Sequence, residues 1–316
     1  MRYAIDVKNL RKSFQEHEAV KGIDLQVKQG ELFALLGPNG AGKTTTIHML
    51  STLIKPDGGT AIVAGYDVVQ DAHEVRKKIS MTGQFAALDQ GLSGVQNLML
   101  IARLYGYSKK KARAIAEELI QTFGLTDAKD RLVEKYSGGM RRRLDIAASV
   151  VIQPDLIFLD EPTTGLDPQS RMQVWDVVRS LLKRGTTVLL TTQYLEEADR
   201  LADRIAVIHQ GTIIAQGTPN QLKASIGGKM LTIRMAERAD PEAISSLVAK
   251  HHSLIVIRGD DPLVYKIAVT EAALANQAIH TLLAHEVPVD YFSLDEPSLD
   301  EVFLTLTEIP PKEAVS

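Results

Sequence analysis

Leu32-Phe33-Ala34-Leu35-Leu36 runs straight into Gly37-Pro38-Asn39-Gly40-Ala41-Gly42-Lys43-Thr44, and this stretch decides the fold. Five apolar residues in a row read as a strand buried on both faces. The eight that follow fit G-x-x-x-x-G-K-[ST]. Such a loop wraps a phosphate with backbone N–H groups and needs glycine wherever a Cβ would intrude. A helix is predicted from Lys43 to about Leu53, its positive end aimed at the bound anion. Lys43 is placed to reach the β- and γ-phosphates of a nucleotide, and Thr44 to ligate Mg²⁺.

Working outward, Leu156-Ile157-Phe158-Leu159 is a second buried strand, ending in Asp160-Glu161. A buried strand delivers such a pair to the carboxyl edge of the sheet, where ligands bind in open α/β folds. Asp160 would hold Mg²⁺ through water, and Glu161 would act as general base toward an attacking water. Ile5, Val7 and Leu10 alternate, as do Ile23, Leu25 and Val27, which predicts strands on either side of the loop's approach. Another strand is expected over 60–64, after the turn Pro56-Asp57-Gly58-Gly59. Ala112, Ile115, Ala116, Leu119, Ile120 and Phe123 repeat at helical spacing up to Gly124. A helix over 168–182, a strand over 187–191, a helix over 195–202 and a strand over 205–209 complete a mostly parallel α/β domain. Beyond Ile226-Gly227-Gly228-Lys229 the order is β-α-β-β-α-β, that of a ferredoxin-like module. The expected organisation is a domain over 1–226, a small α+β domain over 227–309 and a tail over 310–316.

Composition fits this reading. With 316 residues, 45% hydrophobic and 24% charged, the chain is an ordinary globular protein of about two domains. A formal net charge of -3 argues against nucleic acid as a partner. The absence of cysteine excludes disulfides, thiolate metal sites and a thiol nucleophile. No apolar run reaches the roughly 18 residues a membrane span requires. Met1-Arg2-Tyr3-Ala4-Ile5-Asp6 lacks the apolar stretch of a signal peptide. The expected place is therefore the cytosol or the cytosolic face of a membrane.

Tyr136-Ser137-Gly138-Gly139-Met140 supplies a second glycine-rich helix start, upstream of Asp160. A phosphate loop, then this motif, then Asp-Glu resembles the ATP-binding subunits of ABC transporters, over about residues 1–225. The family signature usually reads Leu-Ser-Gly-Gly-Gln, so Tyr136 and Met140 depart from it. The resemblance implies a P-loop NTPase fold with an antiparallel β subdomain and a helical signature subdomain. It implies ATP and Mg²⁺ as cofactors and a homodimer with two nucleotides at the interface. Ser137, Gly138 and Gly139 would then act on ATP held by the second copy. Phe14 stands where an aromatic stacks on adenine. Gln84 stands where a glutamine touches Mg²⁺ and the attacking water. Asp167, in Gly165-Leu166-Asp167-Pro168, communicates across the dimer, and can at the same time cap the helix that Pro168 opens. Gln193 occupies the switch position where most members carry His, and contacts the γ-phosphate there. An amide donates a neutral hydrogen bond but carries no proton, so relay through this residue is excluded. The implied nucleotide set is Phe14, Gly37, Asn39, Gly40, Gly42, Lys43, Thr44, Thr45, Ser137, Gly138, Gly139 and Asp167. Thr44, Gln84 and Asp160 would hold the metal, and Glu161, Gln193 and Gln84 would serve catalysis.

A narrower resemblance rests on Thr191-Thr192-Gln193-Tyr194-Leu195-Glu196-Glu197-Ala198-Asp199 and on Leu299-Asp300-Glu301-Val302-Phe303-Leu304. These look like the daunorubicin/doxorubicin-resistance type of ABC ATPase, whose permease is a separate polypeptide. That implies a peripheral protein on the cytoplasmic face of the membrane, powering export of hydrophobic compounds. A soluble ABC-type ATPase and a low-turnover regulatory nucleotide-binding module are the alternatives. Lys109-Lys110-Lys111 and Arg141-Arg142-Arg143 read as solvated helix faces.

Overall fold

In the computed structural model, residues 3–83, 88–226, 229–237, 240–252, 254, 256–259 and 261–308 are described. They form two units, over 1–216 and 217–316. Gln84 and the tail beyond residue 308 lie outside the described residues.

The first unit opens with β1 (Tyr3–Phe14) and β2 (His17–Lys28), paired antiparallel with Ile5 opposite Val27 and Val7 opposite Leu25. One side of this ribbon is apolar and buried, as the alternation predicts. Then come β3 (Leu32–Leu36), α1 (Lys43–Leu50), β4 (Gly58–Val63), β5 (Tyr66–Asp67), α2 (Ala72–Lys78) and β6 (Ile79–Thr82). The helical part is α3 (Gly94–Leu104), α4 (Lys109–Thr122) and α5 (Gly138–Ser149). The chain returns through β7 (Leu156–Asp160), α6 (Pro168–Lys183), β8 (Thr187–Thr192), α7 (Leu195–Leu201), β9 (Arg204–His209) and β10 (Thr212–Gly217).

Two sheets result. The antiparallel one has the order β2-β1-β4-β5, and the other has the order β10-β9-β3-β8-β7-β6. In the second, β9, β3, β8, β7 and β6 run parallel to their neighbours, so the ends of β3, β7 and β8 meet at one edge. Every residue of β3, β7 and β8 is buried, which explains the apolar runs over 32–36, 156–159 and 188–190. α1 stops at Leu50, short of the expected Leu53, because Thr52 turns the chain with φ 66.

The second unit contains α8 (Pro219–Ser225), β11 (Lys229–Met235), α9 (Pro241–His252), β12 (Val256–Arg258), β13 (Val264–Val269), α10 (Ala272–Ala284), β14 (Val289–Asp295) and α11 (Leu299–Glu308). Its sheet order is β12-β13-β11-β14, all antiparallel, the arrangement of a β-α-β-β-α-β module. Leu231, Ile233, Tyr265 and Ile267 form its core with Ile244 and Val248 of α9 and Ala278 and Leu282 of α10. The helix α8, placed with the first domain by the glycine-pair reading, belongs to this unit and packs on α11. In α11, Glu301 accepts hydrogen bonds from the Ser298 backbone and hydroxyl at 2.5 and 2.7 Å and pairs with Lys266 at 2.5 Å. The acidic residue of that C-terminal motif thus fastens its own helix.

Candidate functional site

The phosphate loop lies between β3 and α1, and Gly37 and Gly42 are there for space. A Cβ on Gly37 would meet the Ile208 carbonyl at 2.2 Å. Gly42 caps α1 in the left-handed region (φ 107), and a Cβ there would meet the Ala19 carbonyl at 2.6 Å. No side chain caps α1, so its first N–H groups point into the loop without an internal partner of that kind. Lys43 crosses the loop: its Nζ donates to the carbonyls of Gly37 (2.8 Å) and Pro38 (3.0 Å) and pairs with Glu161 at 3.2 Å.

Asp160 ends β7 and is 2% exposed. It accepts from the Thr44 hydroxyl at 3.1 and 3.2 Å and from the Thr191 hydroxyl at 2.5 Å. Glu161 follows with φ 47, a left-handed conformation for a non-glycine residue. Its N–H is held by the Thr191 hydroxyl and carbonyl, both at 3.1 Å, while Thr164 donates to its carboxylate at 3.1 Å. The end of β8 is tied to the loop by the Gly37 N–H donating to the Thr192 carbonyl at 3.2 Å. Gln193, half-buried, follows directly.

A pocket of about 390 Å³ collects Phe14, Asn39, Gly40, Gly42, Lys43, Thr44, Thr45 and Glu161, together with His17 and Ala19. Phe14 is 49% exposed there, with Lys12 Nζ 5.6 Å from its ring centre. Ser137, Gly138, Gly139 and Asp167 are not among the residues lining this pocket. Ser137 caps α5, accepting the Met140 N–H at 3.2 Å, and is exposed with Gly138. Gly139 sits so close to Ser170 that a Cβ would meet its Oγ at 2.5 Å. Asp167 caps α6 through the Ser170 N–H at 2.9 Å, and hydrogen bonding from the Ser170 hydroxyl, then from its N–H, lowers the Asp167 carboxyl pKa.

The arginine triplet is not a solvated face. Arg142 donates to the Gly83, Asp160 and Pro162 carbonyls at 2.7, 3.0 and 3.0 Å. Burial lowers its pKa, against the pull of Asp145 and Asp160. Arg143 holds the carbonyls of Phe123 and Gly124, and Arg141 that of Tyr136. Sequence reasoning missed Arg142, which joins α5 to the strand carrying Asp160. The signal lay in carbonyl groups that no sequence pattern displays.

Glu197 of α7 was also not singled out. It is wholly buried and accepts from Trp175 Nε1 at 3.0 Å. Burial raises its pKa, and Thr192, Trp175, Thr163 and Arg171 offset only part of that.

This fold and this edge define a P-loop ATPase of the ATP-binding cassette class. Residues 20–164 match the ABC transporter family, and residues 217–307 match the ATP-binding protein DrrA1-3-like C-terminal domain. The chain is 52% identical to the daunorubicin/doxorubicin resistance ATP-binding protein DrrA of Streptomyces peucetius, over 97% of this chain and 93% of that one. It is 38% identical to the linearmycin resistance ATP-binding protein LnrL of Bacillus subtilis, over 96% and 98%. Among solved structures, cbiO1 of Clostridium perfringens, part of an ABC transporter complex, superposes with a TM-score of 0.66 at 26% identity, covering 71% of this chain and 92% of that one. The chain therefore belongs to the ABC transporter ATP-binding subunits, in the branch with a DrrA-like C-terminal domain. It is an ATP-binding and ATP-hydrolysing subunit of the drug-resistance exporter type, which sets the soluble and regulatory alternatives aside.

Proposed function

We propose that two copies of this chain close over two Mg-ATP and drive a separate membrane permease that exports hydrophobic drugs or lipids. One observation carries the dimer: Ser137 and Asp167 are exposed and do not line the pocket that holds Lys43 and Glu161. A second copy can bring them to the nucleotide. Phe14 would stack on adenine, and Asn39, Gly40, Gly42, Lys43 and Thr45 would take the phosphates. The metal site has a suitable donor set, since Asp160 and Thr44 present only oxygens and touch one another. Those two residues, with Gln84, would hold Mg²⁺, which when bound neutralises charge on the transferred phosphoryl group. Glu161 takes the proton of the attacking water, and Gln193 donates to the γ-phosphate without a proton to relay.

The permease reading has its own support. Among the described residues no helix is long and apolar enough to cross a membrane. A groove of about 820 Å³ runs from Asp160 and Gly83 to Ile101 and Tyr105, with Leu53 and Tyr105 exposed along it. It offers an apolar seat next to the catalytic edge, as a permease helix on the cytoplasmic face requires. Relatives named for daunorubicin/doxorubicin and linearmycin resistance support this cargo class.

The test is purification of the tagged chain from gently solubilised native membranes. One multi-span protein is expected in near-equal amount, with ATPase activity stimulated by an anthracycline. Glu161→Gln should lower that activity by about 10²–10⁴-fold while ATP still binds. A chain recovered alone, or a Glu161→Gln complex with near-normal turnover, overturns the reading.

A further inference from the structure

Tyr136 stands where the family signature usually begins with leucine, and the structure gives its hydroxyl work that leucine cannot do. The ring is buried, and the phenol donates to the Ala128 carbonyl at 2.8 Å. Its backbone is held as firmly: the N–H donates to the Val133 carbonyl at 3.0 Å, and the carbonyl accepts from Arg141 Nε at 3.1 Å. All three polar groups of the residue before Ser137 are thus fixed. The phenol also sits against the first residue of α3. A Cβ on Gly94 would come within 2.3 Å of the Tyr136 hydroxyl oxygen and 3.3 Å of the ring carbon bearing it. Gly94 is itself held at the start of α3 by a capping box between Ser93 and Gln96. Tyr136 therefore joins α3, the turn at Ala128 and the exposed start of α5 at a single point. Ser137 Oγ accepts the Met140 N–H, which leaves its hydroxyl hydrogen to donate outward.

We infer that Tyr136, seated on Gly94 and Ala128, is a positioning residue that aims Ser137 at the nucleotide of the second copy. The inference rests on the dimer reading above. A serine that must meet a phosphate on another chain gains from a pre-set aim, because ordering it at the moment of contact would weaken association.

The experiment uses the full chain carrying Glu161→Gln, in which ATP-dependent dimers should accumulate because the proposed base is gone. Light scattering reads dimer formation against ATP concentration. A fluorescent ATP analogue at high dilution reads binding to the single chain, and thermal melting reads folding. Adding Tyr136→Phe removes one oxygen and should raise the ATP needed for half-dimerisation about tenfold, as expected for a lost buried hydrogen bond. Single-chain binding should stay within about twofold, since the phosphate loop is untouched. Gly94→Ala alone should abolish dimers. Combining it with Tyr136→Phe should bring them back, because the clash at 2.3 Å is with the deleted oxygen. Tyr136→Phe with parental ATP dependence overturns the inference. So does equal weakening of dimerisation and single-chain binding, or a double variant no better than Gly94→Ala. A Glu161→Gln parent that binds ATP yet stays monomeric at every concentration removes the dimer reading, and the inference with it.

Discussion

Two helices of this protein begin at glycine-rich turns, and they begin in opposite ways. α1 starts at a left-handed Gly42 with no side-chain cap. α5 starts at Ser137, whose hydroxyl takes the Met140 N–H. The first leaves its amide groups to a ligand, and its shape is enforced by neighbouring backbone at 2.2 and 2.6 Å from where side chains would sit. The second satisfies part of its own start and presents a hydroxyl and an exposed glycine. One is a cradle built to enclose a phosphate within the chain. The other is a surface that, on the dimer reading proposed above, would meet one from outside. The same dipole serves both, and the cap decides which use is open.

The comparison can be broken most decisively at the cradle. Gly42→Ala forces a Cβ against the Ala19 carbonyl at a φ of 107. Nucleotide binding to the single chain should be lost, with about 1–3 kcal/mol of stability, measured by analogue titration and denaturant melts. Binding within twofold of the parent would show that the loop yields.

Ser137→Ala probes the other start. It should cost about 1 kcal/mol of stability through the lost cap and leave single-chain ATP binding intact. Steady-state hydrolysis should fall by about 10²-fold if the hydroxyl meets the transferred phosphoryl group. Equal losses of binding and hydrolysis would place Ser137 in the cradle's own pocket and end the contrast.

The smallest effect is expected behind β8. The pKa of Glu197 is raised in the folded protein, so its ionised form is disfavoured there relative to the unfolded chain. The stability tied to its neutral form is complete below the unfolded value of about 4.5 and is lost as pH rises through the folded value. Glu197→Gln removes this titration and keeps an acceptor for Trp175. The variant should gain stability relative to the parent as pH rises above 4.5, read from melts between pH 4.5 and 8. A pH-independent difference would mean that Glu197 is not shifted.

The contrast between the two helix starts also explains what the sequence could reveal. Gly37, Gly42, Lys43, Thr44 and Asp160 were legible because a phosphate and a hard cation demand those residue types at fixed spacing. The two-faced strands β3, β7 and β8 were legible as apolar runs, and the second unit as alternating periods. α3 was not: Leu98 and Ala102 are buried while Leu100 and Leu104 are exposed, so apolar residues on two faces blur the helical stripe. β6 and β10 were missed for a related reason. They are the edges of their sheet, with only some of their residues buried. Arg142 was misjudged because its partners are the carbonyls of Gly83, Asp160 and Pro162, 18 to 59 residues away in sequence.

The Lys43–Glu161 pair, with both side chains nearly buried, has one more consequence. The lysine is already neutralised by an internal counter-ion. If it takes the γ-phosphate as proposed, capture would be an exchange, in which one anion leaves the lysine as another arrives. Its strength would be the difference between two attractions of similar kind. The departing carboxylate would be set loose at the moment the proposed base is needed, so that filling the site and freeing the base would be one event.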